Sequence, residues 1–569
     1  MNALAGAERW LLRAGLFLLP LAYAWNTYDQ FVLPKLLVAR LLLLSLLVLF
    51  VARTVRSGIL MWKRTSLDLP LAAFLGSAAL STIFAVNTNV GIFGTYSRYD
   101  GLLTLLTYAG LFWMSTQVIA NAAEARTLLR TLIASGYVVA VIAIVQSVHD
   151  SIQDTFVTAA FGSLGNPNVL GAFLGLVLAL AIDELIAART LSARIIAANV
   201  IAVVGFALLL TFSRSAWLGA TISIVVLLTG RRGELSRWIP IAGGGLAIAI
   251  VLVAAWTLVG GLDLERLFAA RAATLLDAGT YSNSRVHIWQ DSVHVIAGRP
   301  ILGYGPDNFG LVYPKFETGD WGAGLHGLRQ PVDKAHAEVL QVASTQGIVG
   351  LAAYLFILVA FVRAFWRGRR NQAAVGAFAA WVAYEVAVQL NFTALASALP
   401  FWIFAAAAMV TWGAASPARA VELHARRLAA SIPVAAAVGA VALAAVLVAA
   451  PFYADAQERA AVDADFGGQV DGARVLAAQA RSFGPRESVY AVEVANIAFQ
   501  RSDWTAAREA YQEAAALGTY NSLVYRNLAL ADGYLGLRAE GLAEARKALE
   551  LDRFDVANQA VLAEFEQSP

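Results

Sequence analysis

Apolar residues in this chain gather into long windows rather than the narrow stripes of a soluble helical protein. Windows of roughly 20 apolar residues predict spans near 10–25, 33–52, 67–85, 101–120, 127–148, 167–187, 195–212, 215–230, 239–260, 338–362, 372–391, 394–413 and 430–450. The pattern predicts an all-α fold, a polytopic membrane bundle of about 12–13 transmembrane helices. Two stretches break the rhythm. From about 261 to 337 runs a long loop of mixed polarity, in which Val286, Trp289, Val293 and Ile296 recur at helical spacing and predict an amphipathic helix over 283–296. Gly298-Arg-Pro-Ile-Leu-Gly-Tyr-Gly-Pro306 then reads as a turn. From about 451 the chain turns Ala-rich and charged. Here Ala473, Ala477 and Ala480 align with Ala507, Tyr511 and Ala514, and these with Gly541, Ala545 and Ala548, a period of 34.

Charge sorts the short loops between spans. Arg53, Arg56, Lys63 and Arg64, then Arg126, then Arg189 and Arg194, then Arg231, Arg232 and Arg237, then Arg363, Arg367, Arg369 and Arg370, and then Arg419, Arg426 and Arg427 come at every second crossing. By the positive-inside rule those loops are cytoplasmic, which puts the N-terminus inside and the tail outside. The first span has no small-residue cleavage site and reads as a retained helix rather than a signal peptide. The expected division is a membrane domain over 1–429 with its external loop at 261–337, a final span at 430–450, and an external repeat domain over 451–569 that the bundle could fold without.

With 569 residues, 59 % of them hydrophobic and 14 % charged, the excess apolar surface is there to meet lipid. The net charge of +3 comes from basic residues scattered over many loops, which excludes a nucleic-acid-binding patch. Cysteine is absent, so disulfides, thiolate nucleophiles and Cys-ligated zinc are excluded. No phosphate-binding Gly-rich loop with Lys-Ser/Thr occurs, and His149, His287, His294 and His326 show no metal-ligand spacing. Asp463-Ala-Asp465 has the form of a metal-binding pair but sits in a repeat helix. No metal, nucleotide or other cofactor is expected.

On the outer side, cations stand alone: Arg98 in Tyr-Ser-Arg-Tyr-Asp-Gly, Arg214 in Phe-Ser-Arg-Ser-Ala-Trp, and Lys35 where a span begins. An Arg fork suits phosphate or carboxylate, whereas a snorkelling Arg at a span end is the plainer reading. His336 falls where the long loop returns to the membrane, and a neutral imidazole there could take a proton from a hydroxyl; a histidine satisfied by a helix N-terminus is the plainer reading. Arg285 opens the external helix. Arg40 and Glu385, inside spans, are either a charge pair or cavity lining.

Several strings together resemble the O-antigen ligase and Wzy-type polymerase superfamily of membrane proteins. They are Ser97–Leu102, Gly165–Gly171, Thr211–Trp217, Arg285 with Trp289 and then Gly298–Gly305, and His336 with Leu340, Gln341 and Gly347–Gly350. The 34-residue period with small residues at the helix contacts resembles tetratricopeptide (TPR) repeats, which bind peptides or scaffold partner proteins. The superfamily resemblance implies a glycosyltransferase that moves a glycan from an undecaprenyl-diphosphate donor to a hydroxyl acceptor at the bacterial cytoplasmic membrane. The acceptor would be lipid A core, a growing polysaccharide, or a protein Ser or Thr. It implies His336 as base and Arg214, Arg285 and Arg98 as diphosphate ligands. Lys35, Arg40, Asn166, Asn168, Glu338 and Glu385 are candidates for the cavity wall. The family commonly has Asn after the histidine, where this chain has Ala337, which touches acceptor positioning. A carrier of small anions and a non-catalytic anchor for the repeats are the competing readings.

Overall fold

The computed structural model describes residues 2–153, 159–231, 281–319, 332–422 and 431–567. The bundle is built from α1 (Asn2–Leu18), α2 (Val32–Ser57), α3 (Asp68–Ile83), α4 (Leu102–Val118), α5 (Ala122–Gln153), α6 (Pro167–Ala187), α7 (Leu191–Leu210), α8 (Arg214–Gly230), α9 (Tyr281–Gly298), α10 (Glu338–Gly368), α11 (Gln372–Gln389), α12 (Leu395–Thr411) and α13 (Ser431–Ala444). Among the described residues six helices are long and apolar enough to cross a membrane, and five shorter apolar helices stand with them. With α1 they match every expected span except 239–260, which lies outside the described residues, as do 261–280 and 320–331 of the expected loop and His326 with them. The first window is displaced. Its helix starts at Asn2 and stops at Leu18, because Pro20 cannot continue it and instead sits in a 3₁₀ turn over Leu19–Leu21.

Helix α6 is the axis of the bundle, with 89 % of its apolar window buried, and packs against α7, α8 and α11. The basic loops meet at one end. There Arg53 pairs with Glu8, Arg9 with Glu124, Arg126 and Arg130 with Glu184, and Arg231 with Asp183. At that end Ile59–Trp62 also pairs antiparallel with Arg419–Glu422.

Helix α10 is broken. Gly347, at φ 65 and ψ −165, opens its ladder, and the 300–305 turn fills the gap. Ile348 N donates to Pro300 O (2.8 Å), Tyr304 N to Ser344 O (3.2 Å) and Gly305 N to Thr345 O (2.8 Å). Ser81 Oγ also donates to Thr345 O, and Ser77 Oγ to Gln346 Oε1, tying α3 to the break. Backbone freed from a helix inside a bundle has to be satisfied by protein in this way.

Helix α9 forms over the expected stretch but is turned about its axis, with Trp289 and Ile296 of the expected apolar face half-buried. Ile288, Asp291, Ser292 and Val295 face inward, while Val286 and Val293 are 43 % and 55 % exposed. Asp291 is tolerated inside because Tyr313 Oη and the Thr318 amide and hydroxyl donate to it.

The tail is a stack of helical hairpins: α14 (Ala450–Phe466) with α15 (Val470–Phe483), α16 (Ser488–Gln500) with α17 (Trp504–Leu517), α18 (Ser522–Tyr534) with α19 (Arg538–Leu551), and then α20 (Val556–Gln567). All nine aligned positions of the 34-residue period are buried. The last membrane helix runs into the first repeat helix without a linker, as one helix over Ile432–Phe466 whose first part is apolar. Asp463 and Asp465 lie there, bonded to Arg459 and Gln500.

Candidate active site

At the end of the bundle opposite the basic loops, the first turns of α2, α4, α6 and α12 surround a cavity of about 230 Å³, lined by Phe31, Arg98, Asp100, Asn166, Phe392 and Leu395 among others. Asp29 caps α2 by accepting from the amides of Phe31, Val32 and Leu33, and Asn166 caps α6 through the amides of Asn168 and Val169. By contrast α4, α8, α10 and α12 begin at Gly101, Ser213, Ala337 and Ala394 with no side-chain cap. Open amides at helix starts carry partial positive charge and suit an anion. Backbone strain gathers at the same end: Ser97, Tyr99, Phe212, Asp307 and His336 are five of the six non-glycine residues at positive φ among the described residues.

His336 lies two residues before α10, half-buried, edge-on to Phe392 with ring centroids 5.5 Å apart. Trp289 Nε1 donates to its carbonyl at 3.3 Å. Burial, and after it the positive charge of Arg285, push the imidazole down to about 4, against the pull of Asp333 and Asn391. The ring is therefore neutral near pH 7. Its Nδ1 and the Oδ1 of Asn391 are both buried without a close partner among the described residues, yet Asn391 stands where it favours the protonated ring. The tautomer that satisfies both atoms carries its proton on Nδ1 and leaves Nε2 to accept one.

Arg98 pairs with Asp333 at 2.5 Å and lies over the Phe392 ring at 5.2 Å. Burial works against its charge, and Asp333 with its neighbours outweighs burial and holds the guanidinium above its usual value. Behind this pair Lys334, 3 % exposed, donates to Asp100 Oδ2 and Asp307 Oδ1, both at 2.8 Å. Asp307 Oδ2 accepts from the Thr95 amide and hydroxyl. Lys334 and Asp333 thereby fix the approach to His336. Arg285 donates to Leu390 O at 3.0 Å, next to Asn391.

The structure thus gathers Arg98, Arg285 and His336 around the 390–392 turn. Arg214 is the first residue of α8, exposed, at the same end of the bundle through the bond from Ser213 Oγ to Asn168 Oδ1 (2.8 Å). No hydrogen bond or ion pair joins the Arg214 side chain to another described residue. Glu338 Oε2 accepts from the Thr393 amide at 2.7 Å. Lys35 is fully buried and donates to the carbonyls of Ala22, Phe31 and Ser163, which makes it a staple between chain segments. Arg40 and Glu385 do not pair. Glu385 accepts from Tyr354 Oη, and Arg40 donates to Leu447 O. The sequence reading missed Asn391, Asp333, Lys334 and Tyr520. Tyr520 comes from the repeat tail, packs over Gly310, and lies near Arg98.

No group of His, Asp or Glu with the form of a metal site occurs among the described residues. A comparison with curated proteins finds no match. Among solved structures the chain is similar to the Arabidopsis OM64 TPR domain at 16 % identity and a TM-score of 0.21, covering 21 % of this chain and 99 % of that one. It is also similar to the APC/C hetero-tetramer Cut9-Hcn1 at 12 % identity and a TM-score of 0.19, covering 88 % of this chain and 84 % of that one. Scores this low carry no argument about arrangement. Residues 197–355, which contain Arg214, Arg285, the 300–305 turn, His336 and the break at Gly347, match the Wzy_C family model, O-antigen ligase. The chain thus holds, over residues 197–355, a stretch that matches the O-antigen ligase family, set in a multi-pass helical membrane protein.

Proposed function

We propose that the protein moves a glycan from an undecaprenyl-diphosphate donor to a hydroxyl acceptor at the external side of the bacterial cytoplasmic membrane. The reading rests on the neutral imidazole of His336, set beside Arg285 and Arg98 at a mouth of uncapped helix starts. The acceptor hydroxyl gives its proton to His336 Nε2 as its oxygen bonds to the anomeric carbon. The bond from that carbon to the diphosphate breaks, and the bonding pair leaves with the diphosphate. Arg285 and Arg214, with the open amides of α8, α10 and α12, take up the charge that develops on the leaving group. Arg98 already has Asp333 as counter-ion, so it orients more than it neutralises. A lipid diphosphate is a good leaving group, so anion stabilisation and deprotonation are the two things the site has to supply. Separation of Arg40 from Glu385 removes the buried pair on which a carrier reading would lean.

The test uses full-length protein in vesicles containing a polyprenyl-diphosphate glycan. His336→Ala should lower transfer by roughly 10²–10⁴-fold while the protein stays folded and inserted; undiminished transfer refutes the base. Arg214→Lys should also lose most activity, because a point charge cannot replace the fork.

A further inference from the structure

A second cavity, of about 440 Å³, lies between α2, the last membrane helix and the first turns of the repeat tail. Its wall is mostly apolar, with Leu36, Phe93, Leu103, Val446 and Phe483 prominent. Its few polar groups include Arg40, Tyr99 and Glu487. Among the described residues the hydroxyl of Tyr99, which is 4 % exposed, has no hydrogen-bond partner, and neither has the Nε of Arg40, which is 9 % exposed. Buried donors left unmade are costly, and two lining one cavity point to a missing acceptor.

The position of Arg40 has a cause in the chain opposite. The last membrane helix loosens into a π turn over Ala445–Ala449 just ahead of Pro451. Proline has no N–H to return to the carbonyl four residues back, which is that of Leu447. Arg40 Nη1 donates to that carbonyl at 3.2 Å. One edge of the guanidinium thus closes a helix defect, and Nε is left over.

We propose that this cavity binds an acidic bilayer phospholipid, with Arg40 and Tyr99 donating to the headgroup and the apolar wall taking an acyl chain. Access is direct, since the apolar window of Ile432–Phe466 is 0 % buried and Val446, in the cavity wall, is 60 % exposed. At the rim Arg486 lies over Phe93 at 4.3 Å and supplies a second cation. Glu487 does not oppose an anion strongly. Burial, then Asp455, push its carboxyl up to about 8 against the pull of Arg40, so at neutral pH it is mostly protonated and can donate. The volume falls in the range of built ligand sites. A lipid held here touches α2, the last membrane helix and the 482–490 turn of the repeats at once, and so ties tail to bundle.

Native mass spectrometry of the full-length protein, delipidated in detergent and given phosphatidylglycerol or phosphatidylcholine, tests this. One phosphatidylglycerol should be retained with at least roughly tenfold preference over phosphatidylcholine. Tyr99→Phe, which removes a single hydroxyl, should weaken retention roughly tenfold. Ala450→Phe, which fills the cavity from the last membrane helix, should abolish it. Where that variant is not monodisperse, Val446→Phe fills the same wall from the lipid side. Equal retention of the two lipids, or wild-type retention by a folded cavity-filling variant, overturns the proposal.

Discussion

Replacing Gly347 by alanine tests the junction that sets His336 relative to the bundle. At φ 65 and ψ −165 this residue occupies a region open in practice only to glycine, and a side chain there costs about 1–3 kcal/mol. A Cβ would also lie 2.2 Å from Ile301 O and 2.3 Å from Ile301 C, backbone atoms that cannot swing aside. The 300–305 turn has to retreat, and with it go bonds such as Ile348 N to Pro300 O and Gly305 N to Thr345 O, at about 1 kcal/mol each. The sum is about 3–5 kcal/mol, or, for a chain of this length, a melting temperature lower by a few degrees. Gly205→Ala in α7 is the control. Nothing lies within 4 Å of a Cβ there, and alanine in a helix is better than glycine by roughly 0.5–1 kcal/mol, so its sign is opposite. Thermal unfolding of both variants in the same detergent decides it. Equal melting temperatures for Gly347→Ala and Gly205→Ala would mean that the broken helix is not held as the geometry requires.

Further outcomes follow from the charges around the site. Since burial and Arg285 together hold His336 at about 4, the base stays neutral as pH falls to about 5, and kcat/KM should drop only below that. Arg285→Gln removes a positive neighbour and should raise the ring's pKa, moving this acid limb upward; an unmoved limb would exclude His336 as the titrating base. Lys334→Met strands Asp100 and Asp307 side by side and should destabilise the protein by about 3–5 kcal/mol, partly recovered by adding Asp307→Asn, as read in a melting curve. If the double variant is no better than the single one, the triad is not the reason.

How far the fold could be read from sequence depends on how hard the surroundings constrain each segment. Lipid demands unbroken apolar helices, so α2 through α8 are legible, and a stack of repeats demands small residues at fixed spacing, so Ala473, Ala507 and Gly541 mark their contacts. Helix α9 answers to neither rule. Its apolar stripe at Val286 and Val293 predicts the wrong inner face, because Tyr313 and Thr318 let Asp291 take the core side. Lys35 looks from sequence like a cavity charge, and only the three carbonyls converging on it reveal a staple. Within the site, His336 and Arg285 sit in recognisable strings. Asn391 lies in a turn far along the chain, with no periodic signal, and stands beside the histidine.

The repeat tail bears most directly on what the site can accept, and its contacts argue against a freely tethered module. Asp455 receives the Asp29 amide at 2.9 Å and the hydroxyls of Tyr96 (2.5 Å) and Tyr490 (2.9 Å), so the residue that caps α2 is itself held by the first repeat helix. Asn87 and Asn89 donate to the carbonyls of Ala516 and Leu517, and Lys315 pairs with Glu550 at 3.0 Å. Tyr520 lies near Arg98 and Asp333, so an acceptor approaching His336 from that side meets the tail as well as the bundle. Ending the chain after Gly467 keeps Asp455 but removes Tyr490, Tyr520 and Glu550. The truncated protein should insert and yet melt lower, with transfer to its acceptor reduced more than any single substitution in the tail reduces it. Tyr520→Ala alone should change acceptor KM more than kcat, because the ring borders the path and not the reacting atoms. Wild-type melting and transfer in the truncated protein would show that the repeats merely rest against the bundle.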